Sequence, residues 1–448
     1  MKDTGDIAPG RLSADELARN FGDAHPPLDH RQAAIEANRC YFCYDAPCVQ
    51  ACPTGIDIPS FIRKIQTGNL KGSAHDILSA NIMGAMCARV CPTEVLCEEA
   101  CVRNTQEHTP VNIGALQRHA TDALFDAGTQ LFSRGEDTGR TVAVVGAGPA
   151  GLSCAHRLAQ HGHRVVVFDA RDKAGGLNEY GIAAYKVPND IAQREVDYIL
   201  DIGGIEVRSG QALGRDLHLA DLRRDYDAVF LALGLGGVNA LGADGEDLSG
   251  VANAVDYIAE LRQAADLATL PVGRRIVVIG GGNTAIDVAT QSKRLGAEDV
   301  TIVYRRGPEQ MSATWVEQEW AQTNGVRVKH WARPVRVEGA DGQATGVVFE
   351  YTQLDDNGRL AGTGDTFTLA ADTVFKAIGQ VFVPSALDGA GDVLDLDGGR
   401  IAVNADRQTS LDDVWAGGDC VAGGEDLTVV AVEDGKIAAD AIDRRLRN

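Results

Sequence analysis

Eight of the chain's ten cysteines fall between Cys40 and Cys101, and this stretch limits the fold more than any other. The first four, Cys40, Cys43, Cys48 and Cys52, read C-x2-C-x4-C-x3-C-P, and Cys87, Cys91, Cys97 and Cys101 read C-x3-C-P-x4-C-x3-C. Thiolates at such short intervals can converge on an inorganic centre, and a Cys-Pro closing a run matches ferredoxin-type iron–sulfur ligation. Two zinc sites of four thiolates each are the chemical alternative, although the spacings lack the paired C-x2-C rhythm of zinc ribbons. A disulfide framework would need an oxidising compartment. The opening MKDTGDIAPG has neither a basic nor an apolar leader region, so no signal peptide is expected.

A chain of 448 residues suggests about three domains. Its formal charge of −21 argues against nucleic acid or an anionic membrane as partner. No run of 18 or more apolar residues is present, so a soluble, cytoplasmic protein is expected. The 51 glycines suit repeated strand–turn–helix nucleotide loops.

Residues 1 to about 28 read as a loosely ordered arm around one short helix, Ala14 to Phe21. Helical spacing at Gln32, Ile35, Glu36 and Arg39, at Pro59 to Ile65, at Ala74 to Leu78 and at Ile113 to Leu124 predicts an all-helical domain around the cysteines. Thr129 to Gly139 reads as a mostly polar linker.

The character then changes. Arg140 to Val145 is a short apolar run, a buried parallel strand. It leads into Gly146-x-Gly148-x-x-Gly151 with Pro149 and Ala150, a helix from Leu152 to His161, and the strand Arg164 to Phe168 ending at Asp169. That context makes the glycines a dinucleotide-binding fingerprint. Gly146 makes the tight turn, Gly148 admits a pyrophosphate, Gly151 lets helix and strand pack closely, and Asp169 would accept from a ribose hydroxyl.

A second unit repeats the design: a strand from Arg275, then Gly280-Gly281-Gly282-Asn283-Thr284-Ala285, a helix through Leu295, and the strand Val300 to Tyr304. Ala285 replaces the third glycine, and Arg305 and Arg306 stand where a ribose carboxylate is usual. Two guanidiniums suit a 2′-phosphate and hence NADP, with NAD left open. Two such units imply two dinucleotides. A flavin, FAD, is the expected link, because hydride moves two electrons and a cluster accepts one. Strands ending at Gly234 and Gly379 mark places where the chain could cross between domains. Val414 to Asp419 ends in Gly418-Asp419 before a helix from Leu427 to Arg445, suiting a ribityl chain and the flavin's edge. Cys154 and Cys420 read as buried small hydrophobes.

Taken together, RCYFCYDAPC, ACPTGIDIPSFI, GAMCARVCPTEVLC, VNIGALQ, VVGAGPAGL, GGLNEYGI, GGGNTAIDVA, VWAGGD and VEDGKIAADAI make the chain, from about Asp29 onward, resemble the electron-input half of dihydropyrimidine dehydrogenases, which bacteria carry as a separate subunit. It is similar, more distantly, to the glutamate synthase small subunit. The resemblance implies two [4Fe–4S] clusters with interleaved ligands. One would be held by Cys40, Cys43, Cys48 and Cys101, the other by Cys52, Cys91, Cys97 and the side chain of Gln117. Bare counting would use Cys87 as a ligand; the resemblance does not.

The resemblance also implies an α/β fold with an all-α iron–sulfur domain at residues 1–138. An FAD domain would occupy 139–238 and 370–448, with the NAD(P) domain, 239–369, inserted in it. Gly176, Leu177 and Thr428 join the cofactor-binding candidates. No catalytic acid or base stands out, and the implied partner is an FMN-containing catalytic subunit that reduces pyrimidines. A glutamate synthase small subunit and a stand-alone NAD(P)H:ferredoxin oxidoreductase are the alternatives.

Overall fold

A computed structural model of the chain describes residues 11–387 and 394–447. The reading of residues 1–10, and of the part of 370–448 at 388–393 and 448, lies outside the described residues. The chain divides into two compact units. One comprises His25–Glu179, Asn189–Gly236 and the residues from Phe382 on; the other comprises residues 11–24, Tyr180–Pro188 and Gly237–Val381.

In the first unit the cysteine region is helical. His30–Ala37, Ile58–Gln66, Leu70–Ala80 and Ile113–Asp126 each start at a side-chain cap, from Asp29, Asp57, Asn69 and Asn112 respectively. Such caps satisfy amides that a helix cannot pair internally. Ile58, Phe61, Ile62 and Ile65 fall on one face at helical spacing and are buried against Ile77, Ile113, Leu116 and Ala120. Most of the cysteines sit between these helices, in irregular chain. Cys48, inside the short helix Pro47–Gln50, and Cys87, inside Gly84–Val90, are the exceptions.

The same unit holds a five-stranded parallel sheet in the order Val414–Ala416, Ala228–Leu231, Thr141–Val145, Arg164–Phe168, Ile205–Arg208. Its three central strands are apolar runs buried on both faces, as parallel strands between helices must be. Helices Pro149–Gln160 and Thr428–Arg447 pack together against it. The expected linker is not free chain. Gly135 N donates to Ala159 O at 3.0 Å, and the Phe132 ring meets His156 edge-on at 5.2 Å. Two apolar residues, Leu131 and Phe132, carry enough hydrophobic surface to lay the segment along the helix.

The second unit repeats the sheet plan with Val251–Asn253, Thr373–Ala377, Arg275–Gly280, Asp299–Val303 and Arg327–Lys329, all parallel. It adds an antiparallel meander that the sequence reading missed: Ala332–Ala340, Gln343–Leu354 and Leu360–Ala370. Alternation along GVVFEYTQL and the Asn357-Gly358 turn were the available signals.

Two short segments lie in this unit instead of with their sequence neighbours. Residues 11–24, expected within the cysteine domain, bury Leu17 in the second unit's core, and Asn20 Nδ2 donates to Arg294 O at 2.8 Å. Tyr180–Pro188 buries Tyr185 fully and sets Lys186 Nζ 2.7 Å from both Asp287 and Glu317. An apolar side chain and a doubly paired ammonium outweigh chain proximity in each case. No helix among the described residues is long and apolar enough to cross a membrane.

Candidate functional site

The cysteines gather as two groups. Cys40, Cys43, Cys48 and Cys101 line one pocket, closed by Ala46, Ile58, Ile62, Val111 and Ile113 and edged by Tyr41 and Arg103. Burial raises the Cys40 thiol, as do the charges of Cys101 and Cys43. Burial, then Cys101 and Cys40, pushes Cys48 up to about 12.

Cys52, Cys91 and Cys97 form the second group. Cys91 is raised well above the ordinary thiol value, first by a hydrogen bond with Cys87, then by burial and by Cys87, Cys97 and Cys52. Cys97 is raised by burial, Glu98, Cys52 and Cys48. Thiols that hold one another's protons in an apolar setting are what a cationic centre would discharge, since bound metal turns such thiols into thiolates. An all-thiolate setting of this kind suits either zinc or an iron–sulfur cluster.

Gln117 is buried on Ile113–Asp126, and its Nε2 donates to Gly84 O at 2.7 Å. That bond anchors the amide to the start of the helix Gly84–Val90, which carries Cys87 and ends at Cys91. Cys87 is buried one helical turn before Cys91. The thiol groups fit iron–sulfur ligation, and Cys87 meets the second group through its hydrogen bond with Cys91.

Sequence reasoning missed Glu195. One of its oxygens accepts from Ala85 N at 2.8 Å and Met86 N at 3.2 Å, capping the same helix. Its other oxygen is buried without a partner, and burial pushes the carboxyl up to about 8 against those two amides and Arg89, which lower it. A glutamate on the apolar face set by Ile191, Val196 and Ile199 was the signal available.

In the parallel sheet of the same unit, Gly146 has φ +106°, and a Cβ there would lie 2.1 Å from Ala232 O. A Cβ at Gly151 would meet Gly146 O at 1.9 Å. Only glycine fits either place. Gly148 caps Pro149–Gln160 with no side chain bonded to the helix amides, and its own Cβ position faces nothing nearer than Gly176 Cα at 3.8 Å. A bare-backbone cradle with free amides fits a pyrophosphate. Asp169 accepts from Ala147 N at 2.7 Å and Arg171 N at 2.8 Å, so it braces the glycine loop as well as standing near the expected ribose.

Gly418 N donates to Asp434 at 2.9 Å, and Asp419 is pushed up to about 6 by burial and by Asp426, against Arg400. Thr428 Oγ1 donates to Asn178 Oδ1 at 3.0 Å, tying the last helix to the segment that carries Gly176 and Leu177. Gly234 follows the strand Ala228–Leu231 in this unit. Cys154 and Cys420 are fully buried and free, as small hydrophobes are.

In the other unit Gly280 repeats the role of Gly146, with a Cβ position 2.1 Å from Ala377 O. Gly282 caps Asn283–Arg294, again without a side-chain bond, and Ala285 is buried beneath it, leaving Asn283 and Thr284 at the open end. Arg305 is exposed and Arg306 half-buried, just past Asp299–Val303, and neither is ion-paired among the described residues. Gly379 lies in this unit too, beside Asn239, and not with the flavin candidates with which it was grouped.

Residues 140–435 match the pyridine nucleotide-disulphide oxidoreductase family. Residues 17–129 match a domain described as dihydropyrimidine dehydrogenase domain II, 4Fe-4S cluster. The chain is 35% identical over 444 residues to the glutamate synthase (NADPH) small chain of Escherichia coli K12, covering 94% of this chain and 93% of that one. It is 36% identical over 427 residues to the NAD-dependent dihydropyrimidine dehydrogenase subunit PreT of Escherichia coli O157:H7, covering 95% and 97%. Among solved structures, Mycobacterium tuberculosis FprA in complex with NADPH superposes with a TM-score of 0.57 at 21% identity, over 69% of this chain and 85% of that one. The thioredoxin reductase of T. acidophilum gives a TM-score of 0.54 at 22% identity, over 69% of this chain and 100% of that one. Both show the fold.

Proposed function

The chain belongs to the pyridine nucleotide-disulphide oxidoreductase family, and from that premise we propose that it is the electron-input subunit of a dihydropyrimidine dehydrogenase. The observation that carries this reading is that both thiol groups and the glycine-cradled sheet lie in one compact unit. Flavin and clusters would then share one compact unit.

In this reading FAD lies along Gly146, Gly148, Pro149, Ala150 and Gly151, with Asp169, Gly176, Leu177, Gly234, Gly418, Asp419 and Thr428 around it. NAD(P)H lies on Gly280, Gly282, Asn283, Thr284 and Ala285, with Arg305 and Arg306 toward a 2′-phosphate. Two [4Fe–4S] clusters are held by Cys40, Cys43, Cys48 and Cys101, and by Cys52, Cys91, Cys97 and Gln117. When bound, NAD(P)H would supply hydride, FAD would accept it, and the clusters would accept its electrons one at a time. The protein's own part is to bind and orient. Free amides at Gly148 and Gly282 receive pyrophosphate, the buried apolar wall of Ile58, Ile62, Val111 and Ile113 keeps water from the first thiol group, and Glu195 caps the helix leading to Cys91. The two parts of the flavin domain flank an inserted NAD(P) domain, and the partner is an FMN-containing subunit holding the pyrimidine. Ligand thiolates suit the reducing cytoplasm.

Anaerobic purification with counts of iron, sulfide, zinc and flavin tests this. About eight irons and one FAD per chain, with the flavin bleached by NAD(P)H, support it; zinc without iron sinks it. The 35% identity to a glutamate synthase small chain favours a second reading, in which the partner is a large glutamine-dependent subunit. The size of the co-purifying chain decides between them.

A further inference from the structure

Lys436 lies on the C-terminal helix Thr428–Arg447, which packs on the helix that follows the Gly148 cradle. Its ammonium leaves that half of the unit altogether. Nζ donates to Ala80 O at 3.0 Å and Thr54 O at 3.3 Å, both in the cysteine region, and pairs with Glu433 at 2.6 Å one turn back on its own helix. Thr54 is two residues past Cys52, is buried, and has its hydroxyl 3.4 Å from the Cys52 sulfur. A lone lysine reaching across two carbonyls to the turn that carries a candidate ligand is costly in side-chain entropy for a purely surface role. Its surroundings also explain the expense. A cation held near a group that becomes more negative on reduction favours the reduced form, and a hydroxyl bonded to a ligand sulfur acts in the same sense.

We propose that Lys436 is a positioning residue that raises the reduction potential of the centre at Cys52, Cys91, Cys97 and Gln117, by placing its charge beside the Cys52 turn and fixing Thr54 so that its hydroxyl serves the Cys52 sulfur. This rests on the two-cluster reading above. Glu433 holds the lysine and offsets part of its charge. The two residues therefore act on the potential with opposite signs, although they form a single ion pair.

That opposition supplies the test. The holoprotein is titrated anaerobically and the second centre followed by its electron paramagnetic resonance signal, identified as the one that Gln117→Ala perturbs. In Lys436→Met the reduced fraction at a fixed applied potential falls about tenfold, which for a one-electron couple is a shift of about 59 mV to the negative. Glu433→Gln moves the midpoint the other way, and Lys436→Arg stays near the unsubstituted protein. A merely structural ion pair would make Lys436→Met and Glu433→Gln move together, and that result, or no shift in either with about eight irons retained, overturns the proposal. If Lys436→Met loses its iron, Glu433→Gln decides: a positive shift supports the proposal and an unchanged midpoint overturns it. About four irons in the unsubstituted chain would instead sink the two-cluster reading, and the proposal with it.

Discussion

Cys87 sits inside a helix, hydrogen-bonded to the Cys91 sulfur, whereas Gln117 is clamped through its amide nitrogen to Gly84. If Gln117 is the fourth ligand, Cys87→Ser keeps the iron content of the natural chain, while Gln117→Ala loses or alters one centre; iron analysis and low-temperature resonance spectra read both. Arg305 and Arg306 carry the coenzyme choice. Removing a charge-assisted hydrogen bond costs about 1.5–3 kcal/mol, so Arg306→Ala raises the KM for NADPH about tenfold or more and leaves that for NADH unchanged. Equal effects on both coenzymes would refute a 2′-phosphate contact. Glu195 carries a pH dependence. Its folded pKa, about 8, lies above the ordinary 4.5, so the folded state binds more protons between those values. Stability is fully present below about pH 4.5, falls as pH rises through this window and levels off above it. Glu195→Gln flattens that fall, which melting temperatures at pH 6 and pH 9 would show. The cysteines were legible from spacing because metal ligands need particular atoms at particular intervals. Glu195 left only its place on the apolar face of Ile191, Val196 and Ile199, which marks burial but not the amides it caps.

The two strand–glycine–helix elements are the most local objects in the molecule, and their boundaries in the sequence fall within three residues of those in the structure, the largest gap being the helix read from Leu152 that begins at Pro149. Apolar strand, obligatory glycine and helix are all set within about thirty residues. A Cβ at Gly146 would lie 2.1 Å from Ala232 O, so Gly146→Ala abolishes flavin retention, measured as flavin absorbance per polypeptide. The segment Tyr180–Pro188 is the opposite case. Its place in the second unit depends on Lys186 meeting Asp287, 101 positions away, and Glu317, 131 away. Lys186→Met leaves two buried or half-buried carboxylates without their cation and destabilises that unit by about 3–5 kcal/mol, readable as a lower denaturant midpoint with flavin still bound to the first unit. The antiparallel meander escaped notice because its outer strands are largely exposed and only Gln343–Leu354 carries a strong alternation.

At the scale of the whole molecule, the proposed subunit role predicts a division of labour. The chain alone should bleach its flavin with NAD(P)H yet leave pyrimidines untouched, and adding the FMN subunit should restore pyrimidine turnover; pyrimidine reduction by the chain alone would refute the division. The parallel sheets, the helical cysteine region and the glycine loops follow from the sequence by itself, since each depends on periodicity and on residues that are close in the chain. What only the tertiary structure decided is which parts share a core. Residues 11–24 and 180–188 go to one unit, and the cysteine helices and the Gly146 sheet to the other, with Lys436 reaching Thr54 across 382 positions. Burial and ion pairing act between surfaces that meet only after folding, and neither leaves a periodic mark in the sequence.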